Sequence, residues 1–188
     1  MSEFSVSALD GLSVGGSVTI REMGRQGMVS LRADLSAAAK AVARVTGAEM
    51  PAQRKISAGK ECAVAWMSPD EVLILCAADQ AGKIAFDLSE ALTGQHHLAL
   101  DISDARAMFS VTGEAGAIRD VLAKITPADI GALGLGEMRR TRLQQVAGAI
   151  WFEAGDEARV ICFRSVARYV FDLLAMSARE GGTVGYHG

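Results

Sequence analysis

Three histidines, three cysteines and two short charged runs are the residues of this 188-residue chain best suited to chemistry. His96 and His97 follow Gly94, which reads as a helix stop, and lead into an apolar run. Neighbouring side chains of a strand point to opposite faces, so the two rings are expected on different sides. One ring near Asp101 or Asp104 would mimic a base–orienter pair, but no serine or cysteine nucleophile is positioned beside it. Adjacent histidines without a nearby third ligand also fall short of a closed metal site. His187 sits in the closing run from Gly181 to Gly188, too rich in glycine to hold a catalytic geometry.

Cys62, Cys76 and Cys162 are far apart, odd in number and set among apolar residues. That pattern predicts buried, inert thiols in a reducing, cytoplasmic setting rather than a disulfide framework. The run Gly131-Ala-Leu-Gly134-Leu-Gly136 lacks the strand-to-helix setting that aims backbone amides at phosphate, and reads as a connection. Two charged groups remain as candidates for an interface: Asp101, Asp104 and Arg106, and Arg140 and Arg142 beside Arg139. Arginine suits such a surface because its planar fork pairs with carboxylates and stacks on flat groups. A solvated, locally paired face is the alternative reading of both groups. A net charge of −3 supplies no basic field for nucleic acid, and no apolar stretch approaches a membrane span.

Positioning any of these residues requires a core, and half the chain is hydrophobic with only 5% aromatic residues. Aliphatic side chains must therefore build it. Four helices are expected. Asp34 caps one with Leu35, Ala38, Val42 and Val45 inward and Gly47 at its end; Asp79 caps another with Ala81, Ile84, Leu88 and Leu92 inward. The third follows Gly113, with Ile118, Val121, Leu122 and Ile125 as its stripe, and Ser165 opens the fourth over Val166, Val170 and Leu173. Residues 18–23 and 28–33 flank Gly24-Arg25-Gln26-Gly27 and read as a hairpin. Further strands fall at 63–67, 72–76, 98–102, 106–111, 146–152 and 159–163.

The order strand, helix, strand, strand, helix occurs twice. Trp66, Asp70-Glu71 and Cys76 are echoed by Trp151, Asp156-Glu157 and Cys162, with a one-residue difference in the loop. The pattern predicts an α+β fold of two split β-α-β (ferredoxin-like) halves, antiparallel sheets with helices packed on one face. The halves are expected at 15–102, including an N-terminal hairpin, and at 103–178, with flexible ends at 1–14 and 179–188. Val72-Leu73-Ile74-Leu75-Cys76 does not alternate apolar with polar, so both faces of that strand are expected to be covered. The second cover is either the other half or another chain.

Four stretches resemble the gamma subunit family of heterotetrameric sarcosine oxidase. They are 65–74 (Ala-Trp-Met-Ser-Pro-Asp-Glu-Val-Leu-Ile), 101–106 (Asp-Ile-Ser-Asp-Ala-Arg), 140–147 (Arg-Thr-Arg-Leu-Gln-Gln-Val-Ala) and 164–172. Their order and spacing match over roughly residues 15 to 175. One departure is Gln144-Gln145, where relatives often place a glycine at the bend. The resemblance implies a fold similar to the folate-binding domain of aminomethyltransferases. It also implies a non-catalytic chain packed on a large (alpha) subunit, with beta and delta subunits completing the complex. FAD, FMN, NAD and tetrahydrofolate would then be carried by those partners, which demethylate sarcosine oxidatively and pass on its one-carbon unit. Two alternatives stand beside it: a free-standing folate-binding or aminomethyl-transfer protein, with Asp101, Asp104 or Glu137 gripping the pterin, and a homodimer.

Overall fold

The structure is a computed structural model that describes residues 6–182 and 184–186; His187 lies outside them. In chain order its strands and helices are β1 (Ser13–Gly15), β2 (Thr19–Glu22), β3 (Gly27–Ala33), α1 (Leu35–Thr46), β4 (Ile56–Ala58) and β5 (Ala63–Ser68). There follow β6 (Glu71–Cys76), α2 (Ala81–Ala91), β7 (His97–Asp101), β8 (Arg106–Thr112) and α3 (Ala115–Ala123). The chain ends with β9 (Met138–Leu143), β10 (Val146–Ala154), β11 (Glu157–Phe163) and α4 (Ala167–Ser177). They form two compact units, one of Gln26–Asp104 and one of Met1–Arg25 with Ala105–Gly188.

In the Gln26–Asp104 unit the sheet order is β4-β5-β6-β3-β7, antiparallel throughout. The strands β3 and β5 are separated by β6, which is the split β-α-β plan. The helix α1 forms where expected. Asp34 accepts from the amides of Ser36 and Ala37, and Gly47 closes the helix at φ 69°. Ala38 and Val42 of α1 and Ile84 and Leu88 of α2 pack on Val29, Leu31, Val64, Val72 and Ile74 of the sheet. Burying each large aliphatic side chain stabilises the unit by about 1.5–3 kcal/mol before chain entropy is counted. Asp79 does not cap α2: the cap position is Gln80, whose side chain makes no capping bond.

The other unit repeats this plan with the order β1-β2-β8-β11-β10-β9. Here β2 fills the place next to β8 that β7 fills next to β3. The expected hairpin of 18–23 with 28–33 is therefore not formed. β2 pairs with β1 and β8, while β3 pairs with β6 and β7, and Gly24 to Gln26 join the units rather than turn a hairpin. Ile20 shows why: it is wholly buried with Phe109, Val111, Leu122 and Leu174 in the core of the second unit. The expected boundaries at 15 and 102 move accordingly to Arg25/Gln26 and Asp104/Ala105. Residues ahead of β1 are tied as well, since Arg164 donates to the carbonyls of Val6 and Ser7.

The repeat is real at the level of register, but one residue out for the tryptophans. Bulges fall between Trp66 and Ser68 and between Phe152 and Ala154, aligning Glu71 with Glu157 and Cys76 with Cys162. Trp66 thus matches Phe152, while Trp151 faces away from the helices. Both faces of the central strands are buried: Leu73, Trp151 and Ile161 are as inaccessible as the core on the helix side. The helix α3 follows Gly113 as expected, capped by Glu114, whereas Ser165 lies in a short 3-10 turn (Arg164–Val166) ahead of α4.

Candidate functional site

The edge strand β7 is where the chain offers an unsatisfied surface. It pairs with β3 on one side and has no strand partner on the other among the described residues. Ala99 packs on the helix-side core, so Leu98 and Leu100 project from the opposite face, 53% and 51% exposed. An exposed edge with unpaired backbone groups and apolar side chains is a template for another chain.

The matching positions in the second unit make the contrast plain. By register, Leu98 and Leu100 lie opposite Arg32 and Ser30, as Thr19 and Arg21 lie opposite Thr112 and Ser110. A solvated sheet face there carries threonine and arginine, and β1 covers the outer edge of β2. On β7 the same positions are leucines.

Beside the two leucines the face is held by a polar network. Arg32 donates to Asp70 at 3.3 Å and to Glu71 at 2.8 Å, and Ser30 Oγ donates to the other Glu71 oxygen at 3.0 Å. Glu71 is almost buried, whereas half of Arg32 remains in solvent. The guanidinium is thus ion-paired to two carboxylates while half of the side chain stays in solvent. A cleft of about 1090 Å³ adjoins it, lined by Arg32, Leu35, Pro69, His96, His97 and Leu98 among others. His97 is engaged through Nε2 with Ser89 and Nδ1 with the Gln95 carbonyl; His96 is exposed. Both histidines line this cleft, but the two ring nitrogens of His97 are taken by Ser89 and the Gln95 carbonyl.

The charged residues singled out from the sequence fall in separate places. Asp101 accepts from the amide and hydroxyl of Ser103, whose Oγ in turn accepts from the Met28 amide at 3.0 Å. It thus fixes the exit from β7 rather than presenting a free carboxylate. Asp104 is exposed in the next turn. Arg106 lies on β8 with its guanidinium 4.0 Å from the Phe163 ring centroid. Arg140 and Arg142 sit two apart on the edge strand β9, exposed on the face away from the helices. β11 and β10 intervene between β8 and β9, so Arg106 and the pair do not form one patch. Glu137 accepts from the Gly134 amide at 3.4 Å.

The glycine run at 131–136 is a pinned connection. Arg119 of α3 donates to the carbonyls of Ile130, Gly131 and Leu133, and stacks over Phe152 at 4.4 Å. The thiol of Cys162 is fully enclosed, and burial pushes it up to about 12 against a small opposing effect of Arg106. Among the described residues no group of three or more His, Cys, Asp or Glu could hold a metal ion, and no helix is long and apolar enough to cross a membrane. The strand β7 was legible from its apolar run, but its open edge was not. The signal was His97-Leu98-Ala99-Leu100-Asp101, in which both leucines share a face.

Comparison with known proteins agrees with this architecture. Residues 31–180 match the model of the sarcosine oxidase, gamma subunit family. The sarcosine oxidase subunit gamma of an Arthrobacter species is 31% identical over 144 residues, 74% of this chain and 69% of the relative. That of Corynebacterium sp. (strain U-96) is 31% identical over 162 residues, 82% of this chain and 77% of the relative. A chain of the heterotetrameric sarcosine oxidase from Corynebacterium sp. U-96, solved with pyrrole 2-carboxylate, superposes with a TM-score of 0.78 at 27% identity, covering 88% and 87% of the two chains. The glycine cleavage system aminomethyltransferase T of Bartonella henselae shares the fold, with a TM-score of 0.63 at 11% identity over 88% of this chain and 48% of that one. With two duplicated split β-α-β units, an open apolar edge and these relatives, the chain belongs to the sarcosine oxidase gamma subunit family.

Proposed function

We propose that the chain is a non-catalytic structural subunit of a heterotetrameric sarcosine oxidase in the cytoplasm, docking on the large (alpha) subunit through the β7 edge. The observation that carries this reading is the pair Leu98 and Leu100, half exposed on a strand edge without a partner among the described residues. The large subunit adds a strand or an apolar ridge there. Arg140 and Arg142, exposed on β9, serve as a second contact, and Asp104 and Arg106 as rim residues.

The oxidative demethylation of sarcosine and the transfer of its one-carbon unit to tetrahydrofolate take place on the alpha, beta and delta subunits, which carry FAD, FMN and NAD. A free-standing folate-binding protein fits less well. Asp101, a candidate to grip a pterin, has its Oδ1 occupied by Ser103. The test is co-expression with and without the large subunit. The chain is expected to co-purify with it and to gain protease resistance at residues 97–101. A stable, soluble monomer that never co-purifies with the large subunit would remove the proposal.

A further inference from the structure

The Gln26–Asp104 unit holds two cysteines that the docking role does not use. The ladder of β5 and β6 pairs Ala63 with Leu75, Val64 with Ile74 and Ala65 with Leu73. One step outward along the same register, Cys62 stands directly opposite Cys76. Both side chains border the helix-side core, next to Val64 and Ile74 on their own strands, so the thiols share a face.

The kind of pair follows from the backbone. The Cys62 carbonyl accepts from the Gly59 amide at 2.7 Å, and the Trp66 amide donates to the Lys55 carbonyl at 3.0 Å. Residues 62, 64 and 66 therefore aim their polar groups at the β4 side, not at β6. Cys62 and Cys76 thus form a non-hydrogen-bonded antiparallel pair, the closer of the two kinds, with Cα atoms about 4.5 Å apart. Disulfides span Cα separations of about 4.4–6.8 Å, so the bond needs no change of fold.

The pair is reachable. A cleft of about 480 Å³ between α1 and α2 is lined by both cysteines with Thr46, Gln80, Lys83 and Asp87. Cys162, by contrast, is sealed in the other core.

We propose that Cys62 and Cys76 are a cross-strand dithiol, a site of reversible covalent modification by low-molecular-weight disulfides and by reagents that bridge two thiols. In the first step a thiolate of the pair attacks one sulfur of the reagent disulfide and expels one reagent thiolate. The second cysteine, after losing its proton, attacks the resulting mixed disulfide and expels the other. The protein loses two electrons and two protons, and the reagent disulfide is reduced to two thiols.

The surroundings set the rate. Burial and the neighbouring Glu61 raise the Cys62 thiol. Burial, then the Cys62 thiol itself, then Asp101 and Asp79 push Cys76 up to about 11. Lys83 in the cleft is paired with Asp87 and offers little counter-charge. Little thiolate exists at neutral pH, so oxidation is slow there and quickens about tenfold per pH unit.

The test uses the full chain in oxidised glutathione, followed by peptide mapping and thiol counting. The expected product is a Cys62–Cys76 cross-linked peptide with two free thiols lost and Cys162 unmodified. Cys76→Ser should instead stop at a glutathione adduct on Cys62. As a second probe, phenylarsine oxide should bind one-to-one to the native chain, and at least about tenfold more weakly to either single Cys→Ser variant. Glutathione adducts without the cross-link, or arsenical binding indifferent to the serine variants, would overturn the proposal.

Discussion

Replacing Leu98 and Leu100 together by threonine isolates the docking surface from the fold. Threonine keeps β-propensity on the edge strand while removing most of the apolar contact. The leucines are 53% and 51% exposed, so about half of each side chain is still available to a partner. Full burial of a leucine is worth about 1.5–3 kcal/mol; half of that, for two residues, gives about 1.5–3 kcal/mol of docking energy. At 1.4 kcal/mol per tenfold, affinity for the large subunit should fall by roughly 10- to 100-fold. The isolated chain should melt within about 2 °C of the parent, because neither side chain belongs to the core. Titration calorimetry against the purified large subunit measures the first quantity and scanning calorimetry the second. Phe86→Thr supplies the control: Phe86 is 65% exposed, but on α2 rather than on the strand edge, and its loss should leave affinity unchanged. A double variant that binds within about threefold of the parent would refute the edge as the docking surface.

Three other outcomes bear on the fold. Arg119→Ala removes the bonds to the Ile130, Gly131 and Leu133 carbonyls and the stack on Phe152, and should cost roughly 2 kcal/mol while opening residues 127–137 to limited proteolysis. Ile20→Ala empties a fully buried site between β8 and the helices; denaturant unfolding should show a loss of about 2–5 kcal/mol, carried by the unit of Ala105–Gly188 and not by Gln26–Asp104. Glu114 accepts from the amides of Gly116 and Ala117, which holds its carboxyl below the ordinary 4.5. A depressed folded-state value gives stability that is present above 4.5 and lost as pH falls through the folded value, so Glu114→Gln should make acid unfolding shallower in that window.

Local periodicity made α1 and the hairpins of β5 with β6 and β10 with β11 legible, because their caps, turns and apolar stripes all lie within a few residues. What stayed hidden depends on pairing across the chain. Nothing near Val18–Met23 says that its partner is Ser110 rather than Ser30; the loop of Gly24 to Gly27 suits a hairpin, and only burial of Ile20 beside Phe109 decides otherwise. β9 escaped notice because its arginines read as a charged cluster, although Met138 and Leu143 at its ends are buried. The bend lies at Gln144, the residue before the one where relatives often carry glycine: it takes φ 53°, a left-handed conformation, and is held by bonds to Ile125 and Lys124. Asp101 stands out in the sequence for its charge, and its bonds to the Ser103 turn depend on a local fold that charge alone does not reveal.

In register, Asp101 matches Glu22, the residue that ends β2. Both carboxylates accept hydrogen bonds at the end of their strands: Asp101 from the Ser103 amide two residues on, and Glu22 from Ser7 and the Gly11 amide in the segment ahead of β1. A second difference between the units lies at the outer edge. β2 is followed outward by β1, with Thr19 and Arg21 on its exposed face; β7 is followed by no strand among the described residues, with Leu98 and Leu100 in those places. Within one fold used twice, the polar version goes with a covered edge and the apolar version with an open one. A bare edge lined by leucine invites self-association unless another chain occupies it. The parent chain, kept without its large subunit, should therefore aggregate with rising concentration, and the double threonine variant should not. Light scattering that shows equal behaviour of the two would mean that the leucines are tolerated in water, and the argument for an occupied edge would fail.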